Sequence, residues 1–381
     1  MPMLSTLLTP CLLVDAGCMR SNIERMARRL TRLSVPLRPH LKTCKNIEIA
    51  QQLVRGQPGG AAVSTLAEAD YFFDHGIDDL LYAVGIAPGK LQAVAERLDR
   101  GMNLTLVLDH PDTARAVALA ARQFQQTFRV LLEVDADGQR AGFQASAPEL
   151  IEAASILRDT GCEVAGVMVH AGGSYNCRDA GCIQAMAAHE RDVAVQAANK
   201  LVDAGHPATV VSVGSTPTAT FAENLDGVTE VRAGVHVFND LVMVGLGVCT
   251  EDQIALSVLA EVIGHRPSSG EVIVDAGWMA LSRDRGTASQ AKDRGFGLVR
   301  DCEGRNLGEI IVTGTNQEHG LIGCADKSAL DFANFPIGKR VRILPNHACA
   351  TAGQHGGFWL IGEQLADQSA PLRWLERCQG W

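Results

Sequence analysis

Apolar residues in the first two thirds of the chain come in short runs separated by stretches of helical period. The runs are Leu37–Lys42, Ala61–Thr65, Leu80–Val84, Leu104–Asp109, Val130–Asp135, Gly166–Ala171, Val210–Ser215 and Glu230–Gly234. They are rich in Val and Leu, which predicts strands covered on both faces. Between most of them the spacing turns helical. From Ala16 to Leu33, the residues Met19, Ile23, Met26, Ala27 and Leu30 fall on one face, and Asp15 is placed to cap the start. Eight such units in about 200 residues predict an α/β fold, a parallel (β/α)8 barrel of the TIM type.

Beyond Leu246 the texture changes. Ile254–Ile263, Glu271–Asp275, Gly297–Val299, Leu307–Thr313 and Arg340–Leu344 read as strands between Gly and Pro turns, with little helical period. The apolar run from Thr9-Pro10 to Asp15 is one more strand, placed to pair with this part. The expected organisation is a cofactor-binding barrel over residues 11–246 and a mainly β domain made of residues 1–10 and 247–381.

Composition narrows the function classes. With 46% apolar and 20% charged residues, the 381-residue chain has the make-up of a packed globular protein. A net charge of −9 gives no basic footprint for nucleic acid, although a local pocket can still favour an acidic small molecule. No apolar stretch approaches the roughly 20 residues of a membrane span. The N-terminus MPMLSTLLTPCLLVDAG has no basic segment ahead of its apolar residues, so a cytoplasmic protein is expected. The 11 cysteines, with no C-x-x-C pair among them, are then expected to be reduced and mostly in the core.

In a parallel barrel the C-terminal strand ends form the site face. Lys42, in RPHLKTCK, stands at the first of these ends, where an amine can hold an aldehyde cofactor. Most lysines in loops are simply solvated, and Lys45, the competing candidate, is expected to face solvent. EVDADGQRAG places Arg140 beyond the fifth strand, ready for a cofactor oxygen or a substrate carboxylate, or for pairing with Asp135 or Asp137. VMVHAGGSY puts His170 at the sixth strand end, where its ring can lie against a flat cofactor. Tyr175 follows as a proton donor or substrate contact. Gly214, Ser215 and Thr216 in VSVGSTPT can present N–H groups and hydroxyls to a phosphate, and Gly234 in EVRAG lets the backbone approach the same group.

In the β domain, LPNHACAT carries His347 and Cys349 two positions apart. On a strand they would share a face and offer two ligands to a metal ion that completes its shell with water or substrate. The plainer alternative is a buried cysteine beside a hydrogen-bonded histidine. His355 is a weaker participant. The segment QEHG adds Gln317, Glu318 and His319 as outer contacts of the metal or contacts of the substrate.

TPCLLVD, RPHLKTCK, EVDADGQRAG, HAGGSY, VGSTPT, EVRAG, DAGWMALS, QEHG and PNHAC occur in this order along nearly the whole chain. In that order the chain resembles the D-serine dehydratase / D-threonine aldolase group, pyridoxal-phosphate enzymes of alanine-racemase-like (fold type III) architecture. The resemblance implies pyridoxal 5'-phosphate on Lys42, with Arg140, His170, Tyr175, Gly214, Ser215, Thr216 and Gly234 around it. It implies a divalent metal (zinc, manganese or cobalt) on His347 and Cys349, substrate contacts from Gln317 and His319, and a homodimer. Two positions depart from the group. His236 replaces a tyrosine, and Gly173 stands where a histidine is common, so substrate choice is expected to differ from that of the D-serine enzymes.

The reaction implied is loss of the hydroxyl from a β-hydroxy-D-amino acid, 3-hydroxyaspartate ahead of serine, giving a 2-oxo acid such as oxaloacetate and ammonia. Lys42 takes the α-proton and the metal helps the hydroxyl leave. The alternatives are D-serine dehydration, aldol cleavage of D-threonine or 3-hydroxyaspartate to glycine and an aldehyde, a racemase using Tyr175, or a non-catalytic cofactor carrier. A cysteine as second metal ligand, where an aspartate would suggest the aldolases, favours the dehydratase branch. The β domain argues against the carrier.

Overall fold

The structure, a computed structural model, describes residues 4–362 and 372–381. It divides into two compact units, Arg25–Gly234 with Cys378–Trp381, and Met1–Glu24 with Val235–Arg377.

Besides the two-residue strand Phe143–Gln144, the first unit holds eight strands at the eight predicted places. They are β1 (Leu37–Pro39), β2 (Ala61–Val63), β3 (Asp79–Gly85), β4 (Asn103–Leu108), β5 (Arg129–Asp135), β6 (Glu163–Val169), β7 (Val210–Val213) and β8 (Glu230–Ala233). All pair in parallel in the order β1-β8-β7-β6-β5-β4-β3-β2, and a His40–Ala62 bridge joins β1 to β2 and closes the barrel. Ala62, Leu81, Val107, Leu131, Ala165 and Met168, one from each of β2 to β5 and two from β6, form a buried cluster. Lys42 lies beyond the strand, in a turn closed by the Lys45 N–H on the Leu41 carbonyl (2.8 Å). The run in the sequence overshoots because the chain turns at Leu41, whose N–H still reaches the Ala62 carbonyl at 2.8 Å.

The second unit is a ring of antiparallel strands. Leu256–Arg266, Glu271–Val274, Gly320–Cys324, Asn306–Thr315, Leu298–Asp301 and Arg340–Leu344 pair in succession, and the last returns to the first. Cys11–Asp15 pairs with Leu256–Arg266 and, in parallel, with Gly357–Ile361, which continues to Arg373–Glu376. Two clusters hold this unit. One contains Leu7, Cys11, Leu13, Leu259 and Ile361, the other Leu241, Ile254, Leu298, Ile311 and Leu344.

One expectation from the sequence is corrected. Cys177 and Cys182 form a disulfide, and the other nine cysteines are not disulfide-bonded. The two flank the start of helix Ala180–Asp203, where Asp179 caps the Cys182 N–H at 2.8 Å. This tight entry leaves the two Cα atoms 5.5 Å apart, within bridging range. Among the described residues no helix is long and apolar enough to cross a membrane.

Candidate active site

The barrel gathers its chemistry where parallel strands end. Lys42 is exposed on the turn after β1, and among the described residues its amine has no ion pair or hydrogen bond. Lys45, expected in solvent, instead binds the fully buried carboxylate of Glu68 at 3.0 Å. Its amine is committed, which separates the two lysines more sharply than the sequence does.

His170, just past β6, approaches the Gly214 carbonyl with Nδ1 at 3.0 Å. A carbonyl only accepts, so Nδ1 carries the proton and Nε2 keeps its lone pair. Burial pushes the imidazole pKa down to about 4, and the Gly214 bond opposes this only in part. The ring is therefore neutral, a flat surface with one acceptor. Tyr175 follows on a short 3-10 turn, half-exposed, its ring centre 6.4 Å from that of His170. His40, between Pro39 and Lys42, is half-buried. Burial first, then the charges of Lys42 and Arg232, hold it well below the usual histidine range.

Arg140 sits exposed on the loop after β5 and forms no ion pair among the described residues. The acidic turn beside it is occupied otherwise. Asp135 caps the N–H groups of Asp137 and Gly138, and Asp137 accepts from the Gly173 N–H at 2.6 Å. A side chain at position 173 would meet Asp137 Oδ2 at 3.0 Å, so the aspartate fills the space that a residue larger than glycine needs. Under the mouth, Arg232 donates to Ser212 Oγ (2.5 Å) and the Val169 carbonyl (2.6 Å), while Glu230 joins Ser212 to Arg38.

The Gly214–Thr216 turn is built differently from the expectation. The Gly214 N–H goes to Glu190 and the Ser215 N–H to Thr218 Oγ1, in the capping box of helix Thr216–Phe221. These two amides serve the fold. The glycines are nevertheless required by the space. Gly214 has φ 122°, and a Cβ there would come within 2.6 Å of the Arg232 carbonyl oxygen. At Gly234 a Cβ would come within 3.0 Å of the His40 carbonyl oxygen. An exposed amine, a neutral flat ring and two glycine-lined strand ends fit pyridoxal phosphate.

The second unit carries the other predicted pair. His347 is not on a strand. It is the N-cap of helix Ala348–Ala352, and Cys349 lies inside that helix. The tight turn of the cap, rather than a pleat, brings the two side chains into hydrogen-bonding contact. His347 Nδ1 donates to Asp284 Oδ2 at 2.8 Å, which leaves Nε2 for a metal. Asp240, buried, accepts from the N–H groups of Ala348 (2.9 Å) and Met243 (3.0 Å) and so fixes the start of the helix. One nitrogen and one sulfur beside a carboxylate suit a borderline divalent cation. Among the described residues no group of three or more His, Cys, Asp or Glu side chains forms a metal cage. An ion held by the pair takes its other ligands from oxygen donors.

The remaining candidates separate. Gln317, Glu318 and His319 form the exposed hairpin tip between Asn306–Thr315 and Gly320–Cys324. His355 Nε2 is tied to the Ala280 carbonyl at 2.9 Å, so that nitrogen is committed within the fold. Sequence reasoning missed Glu190, Asp284, Asp240 and Glu133. Asp284 lies two residues beyond DAGWMALS, and that proximity was the only signal available.

Comparison with known proteins adds the family. Residues 14–241 match the model of the alanine racemase N-terminal domain, and residues 255–361 match that of the "putative serine dehydratase domain". The chain is 48% identical to D-threo-3-hydroxyaspartate dehydratase of Delftia sp. (strain HT23), covering 99% of each. It is 31% identical to the D-serine dehydratase of Dictyostelium discoideum, covering 94% of each. The solved structure of the Delftia enzyme superposes with a TM-score of 0.97 at 46% identity, covering 100% of both chains. A cysteine-to-alanine mutant of D-threo-3-hydroxyaspartate dehydratase, solved in its metal-free form, gives 0.96 at 46% identity and covers 100% of both.

Proposed function

The chain belongs to the alanine-racemase-like pyridoxal-phosphate enzymes that carry a serine dehydratase domain, and from that premise we propose that it is a metal-assisted ammonia-lyase converting D-threo-3-hydroxyaspartate to oxaloacetate and ammonia. The observation that carries this reading is the full-length likeness to the Delftia dehydratase. The barrel mouth supports it, because a lysine, a neutral histidine and two glycines follow its strand ends.

When bound, pyridoxal phosphate supplies an electron sink for the charge left at Cα. A divalent metal supplies Lewis-acid assistance to a departing hydroxyl. The chain's residues do the rest. Lys42 would hold the cofactor through its amine, and the same amine, when not so engaged, would be the base for the α-proton. His170 offers the face of a neutral ring, and Arg140 offers an unpaired guanidinium to a cofactor oxygen or substrate carboxylate. Tyr175 stands beside them as a proton donor. Phosphate contacts are assigned to the turn of Ser215 and Thr216 and to Gly234, although the Gly214 and Ser215 amides and the Ser215 hydroxyl are also engaged within the fold. His347 Nε2 and the Cys349 thiolate hold the metal. Gln317 and His319, on an exposed hairpin, remain candidates for substrate contact.

The proposal includes a homodimer, for which the family resemblance is the support and sedimentation at micromolar concentration the check. It also includes a cytoplasmic setting, which the nine cysteines outside the Cys177–Cys182 bridge favour and the bridge itself opposes. Product analysis with D-threo-3-hydroxyaspartate tests the activity. Oxaloacetate and ammonia are expected, lost with chelator and restored by divalent metal. Glycine and glyoxylate would place the enzyme with the aldolases.

A further inference from the structure

Glu190 lies in the middle of helix Ala180–Asp203, 2% exposed, far in sequence from any motif of the site. A carboxylate taken out of water is costly unless its lone pairs are met by donors. Here one oxygen, Oε1, accepts from the Ala171 N–H at 2.8 Å and from the Gly214 N–H at 3.1 Å. The Thr218 side chain adds a third contact. The two amides belong to neighbouring strand ends, after β6 and after β7. The first directly follows His170. The second belongs to the residue whose carbonyl accepts from His170 Nδ1.

We propose that Glu190 is the positioning residue of the barrel site: it pins the peptide after His170 and the peptide that receives His170 Nδ1–H, and so fixes both the orientation and the tautomer of that ring. The imidazole is held from its backbone and from its ring by one buried oxygen. If Gly214 drifted, its carbonyl would leave Nδ1 and the ring would lose both its plane and its reason to keep the proton there. Helix Thr216–Phe221 is tied to the same point, because Thr218 contacts both Glu190 and the Ser215 cap. Burial raises the Glu190 pKa, and these contacts, with Arg232 at longer range, oppose that rise; Arg232 is itself anchored on Ser212 and the Val169 carbonyl. Glu190 does not touch the reacting atoms. It acts through His170, and the proposal rests on the reading of that residue as facing the cofactor.

The test uses the full-length holoenzyme. Glu190→Gln keeps an acceptor oxygen for both amides, whereas Glu190→Leu keeps the bulk and removes it. Glu190→Leu is expected to weaken cofactor binding about tenfold or more and to lose the visible circular dichroism of the bound cofactor, with Glu190→Gln staying within about threefold of wild type. A Glu190→Leu protein matching wild type in both readouts overturns the proposal. Should that variant not fold, the nitrogen-15 shifts of His170 in the wild-type holoenzyme decide the matter. A protonated Nδ1 is expected, and a protonated Nε2 contradicts the proposal. His170→Ala separates the two layers of the argument. If it leaves cofactor affinity and spectrum unchanged, the reading of His170 fails. If it changes them while Glu190→Leu does not, only the role of Glu190 fails.

Discussion

Glu133 stands on β5 with its carboxyl buried, and desolvation pushes its pKa up to about 7, with Arg232 opposing and Asp109 adding to the rise. The folded protein therefore holds this proton where the unfolded chain has released it. The stabilising effect is complete below the ordinary carboxyl value of 4.5 and is lost as pH rises through about 7. The span corresponds to roughly 3 kcal/mol at most. Unfolding of Glu133→Gln and wild type should show the variant gaining on wild type as pH rises from about 5 to about 8. Parallel curves would contradict the assignment. At this scale the sequence was readable only where a residue sat inside a motif. Lys42 and His170 became candidates that way. Glu133 was within EVDADGQRAG and still went unremarked, because a buried acid and an exposed one look alike in sequence. Lys45 was misjudged for the same reason, since its partner Glu68 comes from the capped helix Leu66–Asp74.

The eight barrel strands were legible because a strand covered on both faces must be apolar throughout, and such runs survive in any context. The later strands Gly320–Cys324, Gly357–Ile361 and Arg373–Glu376 were missed. They are short and carry Gly or charged residues, and their register comes from neighbours distant in sequence. The helix Ala348–Ala352 was taken for a strand, yet the pairing of His347 with Cys349 survives because an N-cap turn also brings i and i+2 together. That helix is placed by two carboxylates from elsewhere in its unit, Asp240 on its first N–H and Asp284 on His347 Nδ1. Asp284→Ala should lower affinity for a divalent metal by about 10- to 100-fold, read by competition with a chelating dye. Unchanged affinity would show that His347 needs no carboxylate to present Nε2.

For the whole molecule, the pattern of runs separates a parallel barrel from an antiparallel ring, and the resemblance supplied the chemistry of each. The candidate cofactor residues meet at one face because parallel strands all end on the same side. Lys42, His170, Gly214 and Gly234 come from four different strand ends, and only closure of the barrel makes them neighbours. Glu190 was invisible because its role exists only after β6 and β7 lie side by side. The Cys177–Cys182 bridge likewise depends on how the chain enters the long helix after Tyr175. The central claim is that the cofactor is held at the end of β1 by Lys42. Borohydride reduction of the holoenzyme, followed by peptide mass mapping, tests it most directly. The account predicts a pyridoxyl phosphate label on Lys42 with Lys45 unmodified. A label on Lys45, or no labelled lysine in RPHLKTCK, would contradict it.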